Sequence, residues 1–415
     1  MHARQIGATR LRGTLLVPAG PGSVRCIDDG EVVIDGDGRL LVAGEHDARR
    51  RGAPAQELDF GAAVVILPGL VDAHVHLPQH AVRGCDPGAL LTWLDATIYP
   101  AERRFADPEH ARQAAGVFEH DLLRLGTTAA GVYVTSHTAA TRLALERLRI
   151  GGVVGKVLMD RAAPIDLTEP ASVAIPALES LIDAYGARTA VVPRFAIGCS
   201  EELLRAAGEL ARRRGASVMT HLAENRDEVA QVAAAFPGAA SYTDVYARAG
   251  LLGRRTLLAH AVHVDDADCR RLAAAGASVV HCPTANLALG SGRMPVELLR
   301  AHGIAHVLGT DVGAGPSLSM WHVIDAYLRV HAGHATIEPA AALWLATRGG
   351  ALALGEQHGG RLAVGSAADL TVFELPPGAR GVDAIVRALA ATTRAVPEPP
   401  ALATWCRGAC LHRRS

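Results

Sequence analysis

Five residues of metal-binding type stand at or near the ends of short apolar runs. His74 and His76 close LPGLVDAHVH, His221 follows SVMT, His260 closes TLLAH and Asp311 stands in AHVLGTDVG. Imidazole nitrogen and carboxylate oxygen suit Zn2+, and three or four such ligands leave a position for a water. Alternate residues of a strand point to one side, so His74 and His76 can face the same axis. A lone H-x-H is often one inward and one outward histidine; five such residues in a repeating pattern point to a shared site. His263 and His281 occupy similar runs and read as core or supporting residues. Other polar or aromatic residues stand at comparable places: Arg194 and Phe195 in TAVVPRFAIG, and Glu224 three positions after His221.

The elements that must position these residues are legible in the rhythm of the chain. Eight short apolar runs begin at LPGLVDAHVH and continue through GTTAAGVYV, VVGKVLMD, TAVVPRFAIG, SVMTHLAEN, TLLAHAVHV and ASVVHCP to AHVLGTDVG. Amphipathic stretches such as PEHARQAAGVFEHDLLRLG and SEELLRAAGELARRRG separate most of them and end at or near glycine, a normal helix stop. Apolar strands alternating with helices predict parallel βα units. Eight of them predict an α/β fold, a TIM-like (β/α)8 barrel over residues 67–355, with a doubly wound open sheet as the alternative. In such a barrel the C-terminal strand ends form one rim, where active sites lie.

Both flanks read differently. Residues 1–66 contain the strand-like TLLVPA, GEVVIDGDGRLLVAG and AVVILPG, with DGDG as a turn. After about residue 355 the helical rhythm stops, and GRLAVGSAADLTVFELPP returns to strand-like alternation before the VPEPP loop. Residues 1–66 and 356–415 are therefore predicted to form one discontinuous small β-sandwich domain.

Composition narrows the class. The chain has 415 residues, 49% hydrophobic and 20% charged, with a net charge of −1. That balance gives no reason to expect a nucleic-acid or anionic membrane partner. No run is long and apolar enough for a transmembrane helix, and the apolar part of MHARQIGATRLRGTLLVPAG is too short for a signal peptide. The seven cysteines are odd in number and scattered, and Cys406 and Cys410 have no partner pair. Neither a disulfide framework nor a zinc ribbon is expected, and a cytoplasmic protein with free thiols fits.

PGLVDAHVH, THLAEN, LAH, HCPTANLALGSG and GTDVG resemble the amidohydrolase superfamily, and in particular its metal-dependent deaminase branch. WLDATIYPAERRF, VGKVLMD, VPRFAIGCSEELL, HLAENRDEVAQVAAAFP, SYTDVYARAGLL and GTDVGAGPSLSMW are similar to the guanine deaminases of that branch. The likeness runs from about residue 60 to 370 and includes segments that bind no metal in other branches. The P-C-x-x-C signature of the smaller zinc deaminase fold is absent.

The resemblance implies roles residue by residue. His74, His76, His221 and Asp311 match the zinc ligands, and Fe2+ accepts the same set. His260 matches the histidine that holds the water, and Glu224 matches the proton-shuttling acid. Asp311 shares with His260 the orienting of that water. Gln79, Arg194 and Phe195 match residues that hold a purine, with Trp93 joining Phe195 on its flat face. The Arg194 fork suits a carbonyl acceptor, and the Gln79 amide suits an edge that both donates and accepts. The fourth run carries Arg194, and the lone lysine, Lys156, lies in the third. A lysine-bridged metal pair, as in cyclic-amide hydrolases, is thereby excluded, and one metal per subunit is expected.

The implied reaction is hydrolytic deamination of guanine to xanthine and ammonia, in purine catabolism, by a homodimer. The alternatives are deamination of another amino-heterocycle, of cytosine, pterin or triazine type, or a non-catalytic scaffold on the same barrel. The scaffold reading sits badly with a full set of ligands. Two departures bear on substrate preference. RMPVELL begins less hydrophobically than expected, so Arg293 is expected to alter a lid or an oligomer contact, and the HAVRGCDPGA loop matches loosely.

Overall fold

The computed structural model describes residues 8–49, 56–61, 63–85 and 88–414. Residues 1–7 of the N-terminal stretch and residues 86 and 87 of the HAVRGCDPGA loop lie outside the described residues.

The chain opens with β1 (Thr9–Gly20), β2 (Ser23–Ile34), β3 (Leu40–Glu45), β4 (Gln56–Glu57) and β5 (Val64–Pro68). Eight strands follow: β6 (Leu70–His76), β7 (Thr127–Tyr133), β8 (Gly151–Leu158), β9 (Thr189–Pro193), β10 (Ser217–Leu222), β11 (Thr256–His260), β12 (Ser278–His281) and β13 (His306–Leu308). The last three are β14 (Leu370–Glu374), β15 (Ala403–Cys406) and β16 (Ala409–Arg413).

Strands β6 to β13 are neighbours in sequence order, and every pairing is parallel. Each of the eight predicted runs contributes one. The sheet curls until its ends approach: the Asp311 N–H donates to the His74 carbonyl at 2.9 Å. Asp72 strengthens this seam, accepting from the Thr310 N–H at 2.9 Å and from its hydroxyl at 2.5 Å. The barrel thus replaces the open sheet as the architecture. All seven residues of β6 are buried, as a strand covered on both faces requires.

The outer helices carry ordinary start and stop chemistry. In the helix Glu201–Arg214, the Ser200 hydroxyl accepts from the Leu203 N–H, and Gly215 ends the helix in the left-handed region at φ 60°. Two glutamates occupy the first turn and three arginines the last, matching the helix dipole.

The second sheet runs β16-β15-β14-β5-β1-β2-β3, with β4 beside β1. Leu11, Leu15, Val32, Ile66, Leu370 and Trp405 share its core, so both chain ends build one unit as predicted. The sheet folds over itself where the Leu40 N–H donates to Ser366 at 2.9 Å and the Ala368 N–H donates to Gly38 at 2.8 Å. Gly69 carries the chain from β5 into the barrel. A Cβ there would lie 2.0 Å from Thr128 Oγ1, so the crossing needs glycine.

One expectation is corrected. The tail after residue 355 is not free of helix, because Gly381–Thr392 is helical with Ile385, Val386, Leu389 and Ala390 buried. These positions repeat with helical period, and the face they form packs on the helices Met320–Val330 and Pro339–Trp344. No described helix is long and apolar enough to cross a membrane, and all seven cysteines are free thiols.

Candidate active site

The barrel rim gathers the candidate ligands. His74, His221, His260 and Asp311 each place one ligand atom within 4.8 Å of the others. His76 joins them, its Nε2 lying 3.2 Å from His221 Nε2 and 3.3 Å from Asp311 Oδ1. His74 Nε2 is 3.2 Å from the same oxygen. His260 Nε2 stands 3.8 Å from Asp311 Oδ2 and 3.6 Å from Glu224 Oε2, between the carboxylate of the cluster and the candidate acid.

This donor set fits a divalent cation. Nδ1 of His221 donates to the Arg194 carbonyl at 2.6 Å, which turns the Nε2 lone pair toward the cluster. Nδ1 of His260 pairs with Asn286 Oδ1 at 2.8 Å, with the same consequence. Nε2 of His74 and of His260 are buried without a hydrogen-bond partner among the described residues, a costly state that a cation between them would relieve. Burial pushes His74 down to about 4 and holds His76 below the usual histidine range. His221 borders the cavity, yet its enclosed ring is held well below that range too. Burial works against the Asp311 charge, but His74 and His76 beside it keep its carboxyl well below the ordinary value. Neutral imidazoles at His74, His76 and His221 around an ionised Asp311 are the protonation states that metal binding requires, whereas at His260 burial is outweighed by Glu224 and Asp311, which raise it above the usual histidine value.

Backbone strain marks the same rim. Ala223 at φ 48°, His260 at 73°, Ala261 at 48° and Asp311 at 48° occupy the left-handed region that non-glycine residues avoid. Such strain persists where surrounding structure over-determines a site, and sequence periodicity carries no trace of it.

A cavity of about 410 Å³ opens onto the cluster. Gln79, Trp93, Arg194, Phe195, Glu224 and Asp311 line it, so all four predicted purine-binding residues reach the space beside the candidate ligands. Phe195 is both pocket wall and core. Gln79 lies in a tight turn, Leu77–Val82, that follows β6 directly. Gly313 supports it at φ 119°, and a Cβ there would come within 2.3 Å of Gln79 Oε1. Arg194 does not stand alone: its Nη1 lies 2.5 and 2.6 Å from the two oxygens of buried Glu102.

Burial raises the Glu224 carboxyl to about 7, with His260 opposing and Asp311 adding to the shift. Ser291 Oγ donates to Glu224 Oε1 at 3.4 Å. The main-chain N–H groups of Glu224 and Asn225 both donate to Glu228 Oε2, at 2.8 and 3.2 Å. Glu228 Oε1 accepts from the Tyr242 hydroxyl at 2.8 Å, so the loop after β10 is held from behind.

Sequence reasoning singled out none of Glu102, Glu228, Asn286 or Ser291. Their signal was position alone, since Glu102 lies in WLDATIYPAERRF, Glu228 in HLAENRDEVAQVAAAFP, and the other two in HCPTANLALGSG. His281 turns away to His331, with Nε2 atoms 3.1 Å apart, as a supporting residue would. Arg293 pairs with Glu297 at 2.8 Å on the following helix. Lys156 is buried in β8 and pairs with Glu169.

Comparison with known proteins agrees with this geometry. Residues 65–408 match the model of the amidohydrolase family. The guanine deaminase of Escherichia coli is 34% identical over 364 residues, covering 85% of this chain and 82% of the relative. A probable guanine deaminase of Deinococcus radiodurans is 37% identical over 367 residues, 83% of either chain. Among solved structures, the E. coli guanine deaminase superimposes with a TM-score of 0.88 at 30% identity over 100% of both chains. The guanine deaminase of C. acetobutylicum with bound guanine gives 0.88 at 27% identity over 98% of this chain and 100% of that one. On its strand-end cluster, its barrel and these matches, the chain belongs to the amidohydrolase family.

Proposed function

We propose that this enzyme removes the exocyclic amine of guanine by hydrolysis, giving xanthine and ammonia, with one zinc ion per subunit. The observation that carries the reading is the meeting, in one cavity, of a guanidinium fork, a side-chain amide and an aromatic ring with a histidine–carboxylate cluster. His74, His76, His221 and Asp311 would hold the ion, and Fe2+ suits the same ligands. When bound, such an ion makes hydroxide available near neutral pH by lowering the pKa of a water.

The protein's own groups do the rest. Phe195 and Trp93 pack on the flat ring, Arg194 donates to the carbonyl, and Gln79 meets the edge that both donates and accepts. Asp311 and His260 orient the attacking water and take its proton. Glu224, its carboxyl raised to about 7 by burial, protonates the ring nitrogen beside C2 and then helps deliver a proton to the amine. The carbon–nitrogen bond breaks, ammonia departs, and the oxygen stays on C2. A cytoplasmic homodimer acting in purine catabolism completes the reading, and the free thiols suit a reducing compartment.

The test is conversion of guanine to xanthine by the metal-loaded protein, run beside cytosine, pterin and amino-triazine substrates with ammonia as readout. Turnover of guanine above the others is expected. Ammonia release from another heterocycle with none from guanine would overturn the substrate assignment.

A further inference from the structure

Glu102 is fully buried, and among the described residues its carboxylate pairs with a single cation. Arg194 Nη1 sits between its two oxygens, at 2.5 and 2.6 Å, and the two side chains are 3% and 0% exposed. The Tyr99 ring lies 5.6 Å from the guanidinium carbon. Tyr99 and Glu102 share the short helix Tyr99–Arg103, which continues the segment bearing Trp93 and Leu94 of the cavity wall.

A guanidinium carries five N–H donors. One nitrogen takes both carboxylate oxygens here, and no hydrogen bond from Nη2 or Nε is formed among the described residues. The anchored end fixes the plane of the fork and leaves the remaining donors for the cavity that Arg194 lines. The pairing also removes a net charge. An unbalanced guanidinium in this enclosed wall would attract any anion strongly, because screening there is weak.

We propose that Glu102 is the positioning residue of the purine-reading arm: it sets the orientation of Arg194 and cancels its charge, so that the pocket takes a neutral purine in preference to an anionic one. This rests on the reading that Arg194 donates to the substrate ring. Deamination turns an amidine into an imide with a more acidic N–H, so a wall without net charge also favours departure of the product.

The experiment measures the guanine KM and the inhibition by urate, a purine carried as an anion at neutral pH, for wild type and Glu102→Gln. In E102Q the guanine KM rises on the order of tenfold as the fork loses its anchor. Urate binds on the order of tenfold more tightly as the guanidinium loses its counter-charge. These opposite signs are the signature. Parallel weakening of both ligands, the pattern of a packing defect, would overturn the proposal, and so would no change in either.

Glu102→Asp keeps the charge but shortens the reach, so it raises KM without tightening urate. An unchanged KM in E102D counts against the proposal, which keeps it testable if E102Q does not fold. Arg194→Met separates the role of Arg194 from that of Glu102. An unchanged guanine KM in R194M means that Arg194 does not read the ring. A raised KM in R194M with normal behaviour in E102Q removes only the role of Glu102.

Discussion

The carbonyl oxygen of Arg194 accepts a hydrogen bond from His221 Nδ1 at 2.6 Å, while the side chain of the same arginine lines the cavity. One residue beyond β9 therefore touches both halves of the candidate site. Its main chain sets the tautomer of a candidate ligand, and its guanidinium faces the space for the ring. Substitution of the side chain should separate these roles, since the carbonyl survives. Arg194→Met is expected to keep its metal content by elemental analysis. Its kcat/KM for guanine should fall on the order of 10²-fold or more, because a polar recognition site loses a buried donor. Loss of metal together with activity would contradict the separation.

Glu224 makes a prediction about rate and another about stability. Glu224→Gln should retain metal and lose on the order of 10²- to 10⁴-fold in kcat, the contribution of a positioned proton donor. Burial, partly offset by His260, raises this carboxyl from 4.5 to about 7. Between those values the folded state binds a proton that the unfolded state lacks, so stability falls as pH rises through the window. The contribution is fully present below 4.5 and lost above about 7. Glutamine has no such proton. The Tm of chelated E224Q relative to chelated wild type should therefore climb between pH 5 and 8, and a flat difference would refute the burial argument.

Asn286 is expected to act on rate through His260. Its Oδ1 holds His260 Nδ1 at 2.8 Å and so presents Nε2 to the cluster. Asn286→Ala should lower kcat about 10- to 100-fold, the usual cost of losing such an orienting partner. Guanine KM should change little, because Asn286 does not line the cavity. An effect confined to KM would assign it to binding instead.

Gly313 tests the support beneath Gln79. Alanine at this position brings a Cβ within 2.3 Å of Gln79 Oε1 and places a side chain at φ 119°. Gly313→Ala should raise the guanine KM and cost about 1–3 kcal/mol of stability. Urea unfolding and steady-state kinetics report the two effects separately, and unchanged values in both would show that the turn relaxes freely.

Removal of divalent metal should expose the cost of the converging nitrogens. Chelation is expected to lower Tm, and titration with Zn2+ to restore it by an amount that grows with the logarithm of metal concentration. His74→Ala, which deletes one of the two buried Nε2 atoms of the cluster that lack a hydrogen-bond partner among the described residues, should abolish that response. A chelated protein that melts with the metal-loaded one would argue against a cation at this cluster.

Much of this arrangement is written in the chain itself. Strand and helix periods are local properties, so the eight apolar runs, the helices between them and the β-rich flanks follow from neighbouring residues. Because each candidate ligand stands at or near the end of a run, the barrel alone brings residues 74, 76, 221, 260 and 311 to one rim. The helix Gly381–Thr392 escaped that reading because it lies between strand-like segments, and its apolar face finds its partner only on the outside of the barrel.

The hydrogen-bond partners belong to the tertiary structure alone. Glu102 meets Arg194 from 92 positions away, and Asp72 reaches Thr310 across 238. The sequence marked His221 and His260 as candidates, but it could not say which ring nitrogen faces the cluster. That depends on the Arg194 carbonyl and the Asn286 amide, which only the packed barrel brings within bonding distance. Residue type and period encode what a side chain can do. Its tautomer, charge balance and orientation are decided by neighbours that the local pattern does not contain.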